Sequence, residues 1–323
     1  RHMTKRLLGA LVLVTLLLGA ASPGAWAEGG SGSKFKSLYV FGDSLSDTGN
    51  LFAMTGGFEP PSPPYFAGRF SNSPIWIEVF EPLLDPKRDF DTTPVVIDPL
   101  ANNQAIAGAF TDTRGPFSGT GVLSQVANFA AAGGKIKHRD LVVVWAGSNN
   151  YLGGDSDPVL VVDDLVTAVQ ELYDLGGRWF LVPNLPNLGD TPLGGLVLSP
   201  EAAAGLNALV AAHNAVLAGA MAGLSAELDV DIVIVDINAM FRAILTDPAA
   251  FGFANVTVPC LIQQPDGTRV PTGACPPDGG SYDATGVLFW DLIHPTAAAH
   301  ALVAMVARTT LSASAVLTVA AGE

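Results

Sequence analysis

Four short apolar runs constrain this chain more than any other feature: SLYVF (37–41), LVVVWAG (141–147), RWFLVPN (178–184) and DIVIVDI (231–237). None alternates cleanly between apolar and polar residues. A strand with one wet face alternates with period two, whereas a strand covered on both faces does not. Helix-like segments lie between the runs. GVLSQVANFAAAGG closes on Gly133 and Gly134, and DPVLVVDDLVTAVQELYDLGG closes on Gly176 and Gly177, which are stop signals. SPIWIEVFEPLL offers Ser73 as an N-cap with Pro74 in the first turn, and Ser199 with Pro200 repeats that start ahead of an alanine-rich segment. Covered strands separated by helices predict an α/β fold: a single doubly wound domain with a mostly parallel sheet flanked by helices. With 323 residues, the chain is long enough for one large domain or two small ones, and 49% hydrophobic against only 14% charged favours a folded, well-buried protein over a disordered one.

In such sheets ligands bind beyond the carboxyl ends of the strands. Four polar or small-residue loops fall there. Gly42–Asp43–Ser44 follows the first run, and NNQAIAGA (102–109) follows an apolar VVI at 95–97. Gly147–Asn150 follows the second run, and DLIHPT (291–296) precedes the last helix-like segment. The four are expected on one side of the sheet, and together they suit ester hydrolysis. That reaction needs a nucleophile, a base, a group that orients the base, and donors for an oxyanion. Ser44 is the candidate nucleophile and His294 the base. Asp291, three residues earlier, can accept from the imidazole Nδ1–H. Pro295 restricts the backbone of His294. The N–H groups of Ser44 and Gly108 and the Asn149 amide are candidate oxyanion donors.

These blocks resemble the GDSL, or SGNH, hydrolase family. FGDSLSDTGN is similar to its first block, Gly108 in NQAIAGA to the glycine of the second, Asn149 in GSNN to the asparagine of the third, and Asp291 with His294 to the Asp-x-x-His of the last. The likeness also takes in GRFSNSPIWIE (68–78), LVPNLPNLGDTP (181–192) and FWDLIHPTAAAH (289–300). It is nearest the secreted bacterial lipase-like and phospholipase-like branch, and it covers the chain from about Ser37 onward. The resemblance implies the catalytic set Ser44, Asp291 and His294, the oxyanion set Ser44, Gly108 and Asn149, and no cofactor or metal. Two positions depart from the family pattern. Asn150 stands where an aspartate is usual, which raises the question of how its loop is held. Ala107 replaces a glycine often found before Gly108.

Other residues compete for these roles. Ser46 is the rival nucleophile, read instead as a turn serine bonding its own backbone. Asp43 and Asp47 read as solvated turn carboxylates, with Asp47 also able to cap a helix; no histidine or glutamate stands at ligand spacing from them. His213 and His300 read as helix-face histidines, and His138 as a surface one. PPSPPYFAG is either a stiff loop or a recognition segment. Phe66, Phe70 and Trp76 are core aromatics or the lining of an acyl pocket.

The N-terminus carries a different signal. Lys5 and Arg6 precede a 14-residue apolar run (7–20), and Ala25–Trp26–Ala27 offers small residues for cleavage. This pattern predicts a secretory signal peptide over 1–27, with Arg1 and His2 as a cloning remnant ahead of Met3. The run is short for a membrane span, so no stable membrane anchor is expected. Residues 28–36 then read as a flexible leader and 37–323 as the hydrolase domain. Without 1–27 the formal charge falls from −14 to −17, because that segment holds three cations and no acid. Such a surface argues against nucleic acid as a partner. Cys260 and Cys275 are the only cysteines and are expected to form one disulfide in an exported chain. The expected function is a secreted or periplasmic serine esterase or lipase acting on small-molecule or lipid carboxylic esters through an acyl-enzyme. The alternatives are an acyltransferase or phospholipase using the same site, or a non-catalytic cell-surface binding protein that retains the fold.

Overall fold

The computed structural model describes residues 35–92, 98–264 and 266–314. The expected signal peptide, most of the leader and the VVI run lie outside them. The four apolar runs form one parallel sheet in the order β1 (Ser37–Gly42), β2 (Asp140–Trp145), β3 (Trp179–Pro183) and β4 (Asp231–Val235). Ser37 pairs with Asp140, Leu141 with Trp179, and Trp179 with Asp231, so the carboxyl ends lie together.

The sheet continues past β1. The Val40 N–H donates to Asn102 O at 2.8 Å, Gln104 N–H to Val40 O at 2.8 Å, and Ile106 N–H to Gly42 O at 3.0 Å. Residues 102–106 therefore run beside β1 as a further parallel edge. In space this edge, β1 and β2 are neighbours in that order, although the edge follows β1 in the chain. The winding reverses between β1 and β2, which makes a topological switch point at their carboxyl ends.

Alternate side chains of the strands face two helical layers. Leu38, Val40, Leu141, Val143 and Leu181 pack toward α1 (Trp76–Leu84), α5 (Ile237–Thr246) and α6 (Ala297–Ala313). Phe41, Val142, Val144, Phe180 and Val182 pack toward α2 (Val122–Ala131), α3 (Pro158–Asp174) and α4 (Pro200–Leu228). Helix α4 is long and apolar enough to cross a membrane, yet its Val210, Leu217, Met221 and Leu224 are buried under the sheet. Ser199 caps it as expected, accepting from Ala202 N–H at 3.2 Å. Ser73 does not cap α1. That helix begins at Trp76, because the Glu78 carboxylate takes the Ile75 N–H at 2.9 Å and fixes the first turn two residues later.

A third apolar cluster sits beside the sheet ends. It joins Leu51, Tyr65, Phe70, Ala107 and Trp290 to a small antiparallel hairpin, β5 (Leu261–Gln263) and β6 (Arg269–Pro271). Cys260 and Cys275 are bonded across the base of this hairpin, with their Cα atoms 5.1 Å apart.

Candidate active site

At the end of β1 the backbone is clamped. A Cβ on Gly42 would stand 2.4 Å from Trp145 O, so only glycine lets β1 lie this close to β2. The Gln125 amide closes on the same residue, accepting from Gly42 N–H and donating to Gly42 O, both at 2.9 Å. The following turn is tight: Asp43 O accepts from Ser46 N–H and Asp47 N–H at 3.0 Å. Ser44 leaves the strand at this point.

The Ser44 Oγ lies 2.8 Å from His294 Nε2. On the other side of the imidazole, Nδ1 is 2.8 Å from Asp291 Oδ2 and 2.9 Å from Oδ1. The spacing of three residues works because the Asp291 side chain folds back on its own loop. It accepts from Ile293 N–H at 3.0 Å and His294 N–H at 2.8 Å. The Tyr65 hydroxyl adds a donor from 226 residues away, at 2.7 Å. Burial pushes the Asp291 carboxyl upward, but the His294 charge and these donors outweigh it and hold it below its ordinary value.

Asp43 and Asp47 are not the solvated turn groups expected, since they are 2% and 0% exposed. Asp47 accepts from Gly49 N–H at 2.7 Å, Asn50 N–H at 2.6 Å, Leu51 N–H at 3.1 Å and Ala107 N–H at 2.8 Å. It caps the short helix Asn50–Met54 and ties the Gly108 loop to the β1 turn. The Asp43 carboxyl is pushed up to about 6, chiefly by burial; the Leu45 N–H and the His294 charge pull it down, and Asp47 adds to the rise. Ser46 is buried and accepts the Trp76 indole N–H at 3.1 Å instead of bonding its own backbone. It is thereby withdrawn as a rival to Ser44.

Gly108 sits at φ +80, a conformation that favours glycine. Its neighbours are both tied down: Ala107 by Asp47, and Ala109 through its carbonyl, which accepts from Asn149 Nδ2 at 2.9 Å. No acceptor among the described residues takes the N–H of Ser44 or of Gly108. Asn150 answers the question its identity raised. Its Oδ1 accepts from Thr111 N–H at 3.0 Å, while Nδ2 donates to Thr111 Oγ1 at 3.1 Å and Asp155 Oδ2 at 3.0 Å. An amide fits here because a carboxylate lies opposite it. The Ala107 methyl is buried in the third cluster and does not line the cleft beside Ser44.

That cleft runs from Ser44, Asn149 and His294 between Leu45, Leu152, Leu188, Phe241, Leu245 and Phe289. A second opening lies on the far side of His294, lined by Tyr65, Phe70, Gln263 and Arg269. Trp76 is a core aromatic, fully buried, and Phe66 borders a separate depression on the 62–67 loop. Two other histidines are buried. Burial lowers His213 to about 4, and its Nδ1 lies 2.9 Å from the Tyr151 hydroxyl. Burial, followed by the His294 charge, lowers His300 to about 3.

The sequence model of the GDSL-like lipase/acylhydrolase family matches residues 38–307. The chain belongs to this family. Its relatives include a phosphatidylcholine-sterol acyltransferase of Aeromonas hydrophila, 26% identical over 85% of this chain and 90% of that protein. A thermolabile hemolysin of Vibrio parahaemolyticus is 27% identical over 83% of this chain and 62% of that protein. A GDSL esterase/lipase of Arabidopsis thaliana is 28% identical over 80% of this chain and 78% of that protein. A solved structure of a lipolytic G-D-S-L family member from Veillonella parvula aligns at a TM-score of 0.45 and 14% identity, covering 86% of this chain and 99% of that one. In this GDSL-family chain the loops that hold Ser44, Gly108, Asn149 and His294 lie together at the carboxyl ends of the sheet. Tyr65 and Asp47 are the site-supporting residues that sequence reasoning missed. Asp47 had one local signal, its N-cap position; Tyr65 had none beyond lying in the unassigned PPSPPYFAG segment.

Proposed function

We propose that this chain is an exported serine hydrolase that cleaves lipid-type carboxylic esters through an acyl-enzyme. The observation that carries the reading is the unbroken line of hydrogen bonds from Ser44 through His294 to Asp291, opening on an apolar cleft. Ser44 Oγ attacks the ester carbonyl carbon as its proton passes to His294 Nε2. The oxyanion receives the N–H groups of Ser44 and Gly108 and the Asn149 amide hydrogen not used by Ala109. Collapse expels the alkoxide, which takes the proton from His294. Water then attacks the acyl-enzyme by the reverse route and releases the acid. Asp291 stays ionised throughout and holds the imidazole Nδ1–H. The apolar cleft takes the acyl chain, and its apolar walls favour hydrocarbon over polar acyl groups.

Export is supported by the basic and apolar N-terminal pattern over 1–27 together with the Cys260–Cys275 bond. On this reading residues 28–36 are the leader to the hydrolase domain. A second reading, transfer of the acyl group to an alcohol, is favoured by the relative named as an acyltransferase. The chemistry differs only in what attacks the acyl-enzyme. Labelling with a fluorophosphonate, followed by peptide mass spectrometry, tests the first reading. A single adduct on Ser44, lost in Ser44→Ala and retained in Ser46→Ala, is expected. An adduct elsewhere, or none, overturns it. Product analysis with a long-chain p-nitrophenyl ester and added alcohol then separates free acid from new ester.

A further inference from the structure

Orienting His294 and fixing its tautomer requires only that Asp291 accept from Nδ1. Yet Asp291 Oδ2 also accepts from the Tyr65 hydroxyl at 2.7 Å, while Oδ1 takes the two loop N–H groups. We propose that Tyr65 is a positioning residue for the Asp291–His294 pair, and that the disulfide-closed hairpin sets Tyr65 through Arg269. The inference rests on the proposed roles of Ser44 and His294.

Tyr65 is 4% exposed. Its ring lies edge-on to Phe70 at 5.7 Å and to Trp290 at 6.2 Å. Phe70 in turn lies 4.9 Å from the His294 ring. The tyrosine loop therefore touches both members of the pair, one through a hydroxyl and one through an aromatic face. With Oδ1 held by its own loop and Oδ2 by Tyr65, the carboxylate cannot rotate away from the imidazole. The phenol remains a donor at working pH, because burial first and the Asp291 charge second push its ionisation upward, against the opposing charge of Arg269.

Arg269 comes from β6. Its guanidinium carbon lies 5.7 Å from the centre of the Tyr65 ring. Its Nη1 donates to Glu59 Oε2 at 3.2 Å and to Gly267 O at 3.3 Å, and its Nη2 pairs with Glu59 Oε1. Glu59 belongs to the same loop as Tyr65, so the ion pair pins that loop to the hairpin. The hairpin is also stitched to the chain just before Asp291: Cys260 N–H donates to Phe289 O at 3.2 Å and Leu261 N–H to Trp290 O at 2.9 Å. One element thus braces Asp291 through the backbone of the preceding Phe289 and Trp290 and from the Tyr65 side.

A hydrogen bond from Tyr65 draws negative charge away from the imidazole. Without it the unshared carboxylate stabilises the imidazolium more strongly, and the acid limb of the rate moves to higher pH. Besides Asp291, the titratable groups coupled to His294 are Asp43 at the end of β1 and His300 on α6, the latter neutral throughout the assay range; both remain in the variants below.

The test is Tyr65→Phe, with Arg269→Gln as its companion, assayed from pH 5 to 9 on a short-chain ester. Tyr65→Phe keeps the ring and is expected to lower kcat about tenfold, the scale of one charge-assisted hydrogen bond, with KM nearly unchanged. Its acid limb should rise by several tenths of a pH unit, and the His294 Nδ1–H proton resonance should move. Arg269→Gln should shift the limb the same way by less. A wild-type kcat and limb in Tyr65→Phe, or a change in KM alone, overturns the inference and leaves Tyr65 as lining. If Tyr65→Phe does not fold by circular dichroism, the limb of Arg269→Gln decides. Fluorophosphonate labelling of wild-type Ser44 runs beside these assays; its failure would strike the proposed function and not the role of Tyr65.

Discussion

Asp43, in the turn after β1, and Asp291, in the loop ahead of α6, are both largely withdrawn from water and both lie within reach of the His294 charge. Their surroundings differ in donors. Asp291 accepts from two loop N–H groups, the imidazole and a tyrosine. Among the described residues the Asp43 side chain accepts from the Leu45 N–H alone, at 3.0 Å. Asp291 is accordingly held ionised, while Asp43 is pushed up to about 6. Burial sets the cost of a charge, and at Asp291 the His294 charge first and the aimed donors second offset it; donors alone do not, since Asp47, buried with four N–H donors, still stands above its ordinary value.

The strongest way to break this contrast is Asp291→Asn. An amide reverses the donor pattern at His294 Nδ1, and turnover should fall on the order of 10⁴-fold, as it does when a serine-protease triad loses its carboxylate. Single-turnover acylation measures it; a loss under tenfold would mean that the ionised side of the comparison has no catalytic weight. Next comes Asn149→Ala, which removes a donor at the end of β2 without touching either carboxylate. Turnover should drop roughly 10²–10³-fold, the usual effect of one oxyanion donor, with KM changed far less.

Asp43→Asn sharpens the comparison through stability. The folded-state value of Asp43 lies above its ordinary 3.8, so its protonated form favours folding. That contribution is fully present below about pH 4 and is lost as pH rises through about 6. The amide variant escapes the loss while keeping the Leu45 bond. By urea unfolding it should match the wild type near pH 4 and exceed it by about 2–3 kcal/mol at pH 8. An advantage that shrinks with rising pH would reverse the argument. The smallest effect belongs to Asn150→Asp, which restores the family's usual residue opposite Asp155. Like charges would face each other in a half-buried contact, at about 1–2 kcal/mol by denaturation at pH 8, with turnover within about threefold of wild type. Lowering the pH should erase the difference.

Much of this molecule was legible in the chain because its signals are local. Uninterrupted apolar runs marked the parallel strands, Ser199 marked a helix start, and two cysteines 15 apart marked the bridge. The loops at the strand ends gathered Ser44, Asn149 and His294 around one cleft. What stayed hidden depends on partners far off in sequence. Asp47 looks like any turn aspartate until Ala107 arrives on its second oxygen. Ser46 looks free until the Trp76 indole reaches it. The Ser73 cap failed because Glu78, itself paired with Arg69, captures the first turn of α1. Nothing near Tyr65 announces Asp291, since a 226-residue contact leaves no periodicity behind.

The one-sidedness of the sheet has a practical corollary. Every residue of the candidate site comes from the carboxyl ends of the strands or from loops folded over them. The lysines of the described residues, Lys36, Lys87, Lys135 and Lys137, are exposed at the opposite end. Lys36 immediately precedes β1, Lys135 and Lys137 lie just ahead of β2, and Lys87 adjoins Arg88, which bonds Lys36 O at 3.4 Å. Amine-reactive coupling to a bead or an electrode through these groups therefore fastens the protein by its back, with the cleft facing the solution.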